Sequence, residues 1–484
     1  MCAGARLTTG PLDGRSLLVM ARRERAVVVG ILFVVALVLR LGYVATTEVD
    51  GPLRADAGQY STCAHNLLAH GTLSIDTGPA PRPDSFRSPG YPAFLALVLA
   101  GAGEARFVAA VSFVQAVLGA LAVLVVYRLA RRHVRPAWAL AATALTALSP
   151  HLVTSTGYVL SEALSVPCLA VALLLYGRCS SRGHWLRGVA AGAVFGAATL
   201  VNESLGAVPL LLFAWLMREK GSRRVAIAFL AAYAALAGGW QLRSALVVPP
   251  GAPTSGARVL ATLSHGTYPG LFFATERHRY YPYQEDPEQP QFGRSWGRFA
   301  AVLGARIGER PLRYASWYLL EKPFWLWGWS IVQGRGDVYV YPVRTSLYET
   351  QPVAAATKAV MWLLHVPCLG LLLVALSRRR VPFAIAGTLA WLTVVYTLSM
   401  PDPRYLTPAK PLLYIAAAIG AAALLDRRGA AAAGAAGRPA AAEAPAERPG
   451  AEERSACGGE GGGAPRGVCE GAREGVREPE PTRS

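Results

Sequence analysis

Apolar residues run along this chain in unbroken blocks rather than in stripes. Ala26 to Leu39 and Val108 to Val126 lack the polar face that a helix on a soluble protein keeps toward water. A block of roughly 17 to 25 such residues is long enough to span a hydrocarbon core. Basic clusters punctuate the blocks at Arg22 to Arg25, Arg128 to Arg135, Arg178 to Arg187, Arg218 to Arg224, Arg378 to Arg380 and Arg427 to Arg428. Placing these clusters in the cytoplasm predicts crossings at 26–45, 105–130, 137–153, 159–177, 185–201, 204–217, 223–247, 354–376, 381–399 and 407–425, about ten in all. Both termini then lie inside.

Three apolar stretches do not fit as crossings. Pro89 to Ala100 is too short and would invert the basic clusters that follow, so it reads as a helix on or dipping into the outer interface. Trp317 to Trp329 is dense in Trp and Phe and contains Glu321, Lys322 and Pro323, which suits an interfacial aromatic belt. Ala57 to His70 reads as a short juxtamembrane helix. Two large outward segments result, Thr46 to Glu104 and Pro249 to Pro352.

The resulting organisation is a cytoplasmic segment 1–25, a transmembrane module 26–247 with an outward loop 46–104, a large outward loop 248–353, C-terminal transmembrane helices 354–425 and a tail 426–484. The tail is built from Ala, Gly, Pro, Glu and Arg without aromatic residues, a composition that predicts disorder.

Composition supports the membrane reading: 53% of the 484 residues are hydrophobic and 16% charged, against ~25% charged in a typical soluble domain. The first block follows Arg22, Arg23 and Arg25 as a secretory signal would. It runs on to Tyr43 without a convincing cleavage site, so it reads as a retained helix. The net charge of +18 sits at the ends of apolar blocks, a membrane-topology signature rather than a nucleic-acid-binding face. The seven cysteines, Cys2, Cys63, Cys168, Cys179, Cys368, Cys457 and Cys469, form no CxxC pair and only Cys63 falls outside the cytoplasm and spans, so neither a disulfide framework nor a thiolate metal site is expected.

The first outward loop carries Asp56-Ala57-Gly58-Gln59-Tyr60, then Ala64-His65-Asn66-Leu67 with Gly71, then Arg87-Ser88-Pro89-Gly90-Tyr91-Pro92. One apolar span followed by D-A-x-x-Y, A-x-N-L-x-x-x-G and R-x-P-G-Y-P resembles the first outward loop of GT-C glycosyltransferases. It is most similar to the branch of the protein O-mannosyltransferases and the lipid-A aminoarabinose and galacturonic acid transferases. The likeness continues at Leu160-Ser161-Glu162 and at Pro403-Arg404-Tyr405-Leu406-Thr407-Pro408. The expected fold is therefore an all-α polytopic membrane protein, a GT-C-like bundle of about ten transmembrane helices with interfacial helices in its large outward loops. The expected activity is transfer of a sugar from a polyprenyl-phosphate donor to an acceptor hydroxyl of a lipid, glycan or protein on the extracytoplasmic face, with inversion.

Asp56 lies at the start of an interfacial helix, where a carboxylate can take the proton of an attacking hydroxyl, and the resemblance implies that role. A helix cap or first-turn acid is the structural alternative. The mannosyltransferase branch has Asp-Glu here, whereas this chain has Asp56-Ala57. Arg87, at headgroup depth, could neutralise the leaving lipid phosphate, as the resemblance also implies, or could merely snorkel to anchor a helix. Arg404, in a short outward turn beside Asp402, could complete the phosphate clamp or form a surface pair with Asp402. Glu162 lies at the outer edge of a span, where an acid is costly and by default marks a site; the resemblance implies that it shapes the catalytic pocket or binds the acceptor or a metal, and the alternative is an interfacial acid in water.

Candidate substrate-binding residues are Tyr60, Tyr91, Glu203 and Tyr405. Relatives carry an Arg-Pro-Glu-like triplet where this chain reads Asn202-Glu203-Ser204, without the arginine. No metal motif is present, since His65 and His70 fall on different helix faces, so no cofactor is expected to be required, although Asp56 and Glu162 together could hold a divalent cation. Tyr268, Phe272, Phe273, Tyr280, Tyr281 and Tyr283, with Arg277, His278 and Arg279 among them, suit sugar rings or membrane headgroups. A transporter or lipid flippase is the rival class. Such proteins concentrate charge and broken helices near mid-depth, whereas these spans read as nearly free of charge there and show no repeated halves.

Overall fold

Each apolar block folds as a helix close to the predicted limits. The computed structural model describes residues 14–179, 184–219, 222–271, 286–328, 343–346 and 353–436. Two compact units divide the chain, Met1–Ala430 and Ala431–Ser484, and all that follows concerns the first. Its N-terminal part comprises α1 (Gly14–Thr46), α2 (Ala55–His70), α3 (Gly90–Ala102), α4 (Phe107–Ala130), α5 (Pro136–Leu148), α6 (Pro150–Thr154), α7 (Ser161–Tyr176), α8 (Trp185–Val201), α9 (Val208–Arg218) and α10 (Arg223–Val247). The segment after α10 holds α11 (Ser255–Gly266), α12 (Gln289–Phe292), α13 (Trp296–Glu309), α14 (Pro311–Ser316) and α15 (Lys322–Gly328). Helices α16 (Val353–Ser377), α17 (Phe383–Leu398) and α18 (Lys410–Ala436) complete the set. The described β structure is one small antiparallel pairing, β1 (Glu48–Val49) with β2 (Val343–Thr345), and one isolated parallel bridge between Ser85 and Thr254; both tie the segment after α1 to the segment after α10.

All ten expected crossings coincide with helices, and α2, α3 and α14–α15 stand where short interfacial helices were expected. By length and composition, four helices among the described residues can cross a membrane, and a fifth if α5 and α6 count as one broken span bent by 51°. Helices α7, α8 and α17, at 16, 17 and 16 residues, sit at the lower limit of a span. The exposed side of α1 identifies the surrounding medium. Val27, Ile31, Val34 and Val38 are 56%, 56%, 53% and 62% exposed, an aliphatic row that water would penalise and lipid accepts. This is an all-α integral membrane protein.

Small residues set the helix packing. Gly188, Gly192 and Gly196 lie on one face of α8, and a methyl group at Gly188 or Gly192 would collide with the backbone of Val225 or Phe229 on α10. This is the small-residue spacing that lets membrane helices approach closely. Helix α1 packs along α4, and α4 along α7.

The crossing expected at 137–153 is not a continuous helix. It breaks at Ser149, before Pro150, whose ring is incompatible with an unbroken helix. The freed carbonyls are met by the fully buried Arg40 of α1, whose guanidinium donates to Ala147 O at 3.2 Å and Thr146 O at 3.4 Å. Arg40, His151, His365 and Lys410 are all buried, so the interior holds more ionisable groups than the nearly charge-free spans expected from sequence. Arg40 lies six residues from the end of α1 and Lys410 opens α18, which puts both within about two turns of helix ends, at ~1.5 Å per residue.

The tail was expected from 426, but α18 continues past that point to Ala436; the remainder, 437–484, lies outside the described residues. So do the aromatic and cationic residues between 272 and 285 and Trp329, whereas Tyr268 is described.

Candidate active site

The first turns of α2 and α7, the last turns of α8 and α17, one face of α11 and two turns around them enclose one pocket, and the first-loop motifs explain how it is assembled. In α2, Asp56, Gln59 and Tyr60 are spaced i, i+3, i+4 and so share one helix face. Ala55 just before them takes a left-handed φ of 49°, a conformation costly for a residue with a Cβ. Asn66, from the second motif, donates to Ser74 O at 2.9 Å and Asp76 O at 2.7 Å, pinning the loop that leaves the helix. Gly71 ends α2 with φ 63°. Asp84 then accepts from the backbone amides of Ile75 and Phe86 at 2.6 and 3.0 Å, folding the loop back toward α2.

The third motif delivers Arg87 to this face. Ser88 Oγ donates to Leu200 O at 2.8 Å, and Gly90 lies so close to the end of α8 that a Cβ there would stand 2.6 Å from Leu200 C and Val201 N. Only glycine permits that approach. The expected substrate contact Tyr91 does not line the pocket. It is fully buried, with its ring 5.0 Å from that of Tyr60 and its hydroxyl donating to Gln115 at 2.9 Å. Its aromatic ring is spent on the joint between α2, α3 and α4.

The other predicted site residues, Asp56, Tyr60, Arg87, Glu162, Glu203, Arg404 and Tyr405, all line the one pocket. Arg87 Nη2 reaches Asp56 Oδ1 at 2.5 Å, and Arg404 Nη2 reaches Asp56 Oδ2 at 2.9 Å. Arg404 Nε also stands 3.1 Å from Glu162 Oε1, an ion-pair contact whose geometry falls short of a hydrogen bond. Asp402 accepts from the backbone amide of Arg404 at 2.9 Å, which fixes the turn Pro403–Ala409 instead of forming the surface pair considered above. Each arginine also stacks on a tyrosine, Arg87 over Tyr60 at 4.7 Å and Arg404 over Tyr405 at 4.9 Å.

Asp56 is not the helix cap, although it is an acid in the first turn of α2. Arg54 occupies the cap position, and the Asp56 carboxylate is turned to the two guanidinium groups. The two arginine side chains are each 8% exposed, whereas Asp56 is 34% exposed on the pocket side, so a ligand in the pocket can reach the acid. Burial pushes the Asp56 carboxyl up, but Arg87 and Arg404 outweigh it and hold it below the usual carboxylate range. For Arg87, burial works against the charged form and the neighbouring Tyr60 and Asp56 overcome it, so its guanidinium stays charged.

Sequence reasoning missed several participants. Gln59 accepts from Arg87 Nε at 2.8 Å and also from Nη2; its i+3 spacing from Asp56 was the available signal. Arg258, on α11, pairs with Glu203 and donates from Nε to Phe86 O at 2.8 Å. It supplies a cation beside Asn202-Glu203-Ser204, where the triplet itself has none. Ser204, Thr262 and Tyr396 complete this side of the pocket.

Among the described residues no group of three or more His, Cys, Asp or Glu could hold a metal ion. Asp56 and Glu162 are brought together, but with the Arg404 guanidinium in contact with both. A divalent cation between them would have to stand against that fixed positive charge.

Residues 86–239 match a family described as dolichyl-phosphate-mannose-protein mannosyltransferase, which bears out the resemblance read from the motifs. The matched segment begins just before Arg87 and includes Glu162 and Glu203. No curated protein matches the chain in sequence. Among solved structures, the chain is similar to the archaeal oligosaccharyltransferase AglB from Archaeoglobus fulgidus in complex with an inhibitory peptide and a dolichol-phosphate, at 15% identity and a TM-score of 0.46 over 87% of this chain and 53% of that one. It is also similar to ArnT from Cupriavidus metallidurans bound to undecaprenyl phosphate, at 16% identity and a TM-score of 0.41 over 85% of this chain and 63% of that one. The chain thus spans between half and two thirds of the length of these proteins.

Proposed function

We propose that this chain is a membrane glycosyltransferase that moves a sugar from a polyprenyl-phosphate donor to an acceptor hydroxyl on the extracytoplasmic face, with inversion. The observation that carries the reading is the Asp56 carboxylate bridged by Arg87 and Arg404 in a pocket beside Glu162. The family match over 86–239 supports the same chemistry.

The donor is a phosphodiester with one negative charge, and its departing phosphate gains a second as the bond to the anomeric carbon breaks. Two buried guanidinium groups oppose that developing charge where water cannot screen it. The acceptor oxygen forms the new bond to the anomeric carbon, the electron pair of the old bond leaves with the phosphate, and the hydroxyl proton passes to Asp56. In the donor-free protein Asp56 occupies the arginines as their counter-ion. A donor phosphate takes its place on them and leaves the carboxylate free to act as base. Glu162 holds Arg404 from the far side through the 3.1 Å contact, keeping it in reach of the phosphate. Two fixed arginines already supply the positive charge, so we propose a reaction without an obligatory metal.

The helix ends support an outward-facing pocket. Helix α7 begins at the pocket and ends near Arg178, α8 begins near Arg187 and ends at the pocket, and α17 begins near Arg380 and ends at the pocket. The basic ends are the cytoplasmic ends by the positive-inside bias. The acceptor is a lipid, glycan or protein hydroxyl. Incubating purified protein in vesicles with labelled polyprenyl-phosphate sugars tests the reading: at least one donor should be consumed and its label transferred. If none is consumed with any acceptor class, the reading fails.

A further inference from the structure

The phosphate clamp is one of two sets of polar groups in the pocket. The second comprises Glu203, Arg258 and Thr262 with the turn through Asn202 and Ser204, and the chemistry above gives it no task. It is built to hold one orientation. Arg258 is fixed by its bond to Phe86 O and pairs with Glu203 Oε2. Asn202 Oδ1 accepts from Ser204 Oγ at 2.7 Å and from Ser204 N at 3.1 Å, and the Tyr396 hydroxyl meets Ser204 Oγ at 2.7 Å. Trp391 Nε1 donates to Ser204 O at 2.7 Å. Glu203 Oε1, by contrast, is sheltered from bulk water and has no hydrogen-bond partner, although its residue lines the pocket. A sheltered carboxylate oxygen without a donor is costly unless a ligand supplies one.

We propose that Glu203 Oε1 accepts hydrogen bonds from hydroxyls of the donor sugar, and that Glu203 selects a neutral sugar over an anionic one. This rests on the glycosyltransferase reading of the same pocket. The oxygen left without a donor belongs to the carboxylate, whereas Arg258 is occupied by Glu203 Oε2 and Phe86 O. A hexuronate carboxylate placed here meets Glu203 and incurs repulsion in a desolvated site. A neutral sugar meets a fixed acceptor and loses nothing. Selectivity of this kind is strong because a site built to bond a hydroxyl is left unpaired by a ligand that lacks it.

The test compares the wild type with Glu203→Gln, using polyprenyl-phosphate donors that carry a labelled neutral hexose or a hexuronic acid. The wild type should prefer the neutral hexose. Glu203→Gln should raise the use of the hexuronate relative to the hexose by about tenfold. A merely structural role for Glu203 would lower both rates together and leave their ratio unchanged, which would overturn the proposal. So would a wild type that uses the hexuronate donor best. If the wild type consumes no donor at all, the glycosyltransferase reading itself falls, which is a different outcome.

Discussion

Asp56 and Arg404 are 348 positions apart in the chain and touch at 2.9 Å. Their contact joins the start of α2 to the turn before the last helix, and it is made by two groups that the proposed chemistry must separate during each turnover. In the proposed reaction the acid is therefore held in an inhibited state by the arginines until a donor phosphate competes for them. This resolves an apparent conflict, since an acid held well below the ordinary carboxylate range is a poor base. The depression belongs to the donor-free protein.

Asp56→Asn should separate base from counter-ion. The amide keeps the size of the side chain but cannot take a proton, so transfer should fall by at least ~10²-fold. The variant should also lose thermal stability, because two nearly buried guanidinium groups lose their anionic partner. Added polyprenyl phosphate should restore that stability by a larger increment than in the wild type, since ligand binding to the folded state stabilises it. Transfer at near wild-type rate would remove Asp56 from the mechanism. Loss of stability without recovery by the lipid would remove the phosphate from the clamp.

Gly90→Ala tests whether the third motif exists to deliver Arg87. The new methyl would lie 2.6 Å from the backbone of Leu200 and Val201, so α3 must shift from α8, at a cost of about 1–3 kcal/mol. The Ser88 to Leu200 hydrogen bond goes with it, and Arg87 is displaced from Asp56. Donor KM should rise several-fold while the protein remains folded. An unchanged KM in a folded Gly90→Ala protein would show that the motif does not position the clamp.

Much of this architecture was legible because apolar length and basic clusters report the local medium at every position. Most helix limits followed within a few residues, for example 223–247 for α10, although α1 already begins at Gly14 and α18 runs on to Ala436. Breaks were harder to read, although Pro150 carries the physical reason for the one after Leu148. Convergence of Asp56, Arg87, Glu162 and Arg404 was legible only because topology put all four on one side; their contacts depend on side chains that no local pattern encodes. Arg258 was hidden for the same reason. It lies on an amphipathic helix more than fifty residues from Glu203, and nothing in the spacing couples the two. Tyr91 shows the opposite error, since an aromatic beside a site motif can serve packing alone.

Orientation can be checked at two exposed positions on opposite ends of the helices. Thr77 lies in the first outward loop and Ser377 at the basic end of α16, and both are exposed. A membrane-impermeant thiol reagent applied to intact cells should modify Thr77→Cys and leave Ser377→Cys untouched until the membrane is opened. The reverse pattern would place the pocket in the cytoplasm and exclude an extracytoplasmic acceptor.

The pH dependence distinguishes the donor-free state from the loaded one. In the donor-free protein burial raises the Asp56 pKa, but Arg87 and Arg404 lower it further, to below its ordinary 3.8. A carboxyl depressed in the fold contributes stability that is fully present above its unfolded value, near 3.9, and is lost as pH falls through the folded value. Between about pH 5 and 8, Asp56 therefore adds no slope to stability and no acid limb to kcat/KM, which reports the free enzyme. In the loaded enzyme the phosphate shares both cations and brings its own negative charge, and each change favours the protonated acid. The acid limb of kcat should accordingly lie at higher pH than that of kcat/KM. Arg404→Gln removes one cation from the free enzyme, raises the Asp56 pKa there and should move the kcat/KM limb upward toward that of kcat. Coincident acid limbs in the wild type, or an Arg404→Gln profile that does not move, would show that Asp56 is not released by the donor.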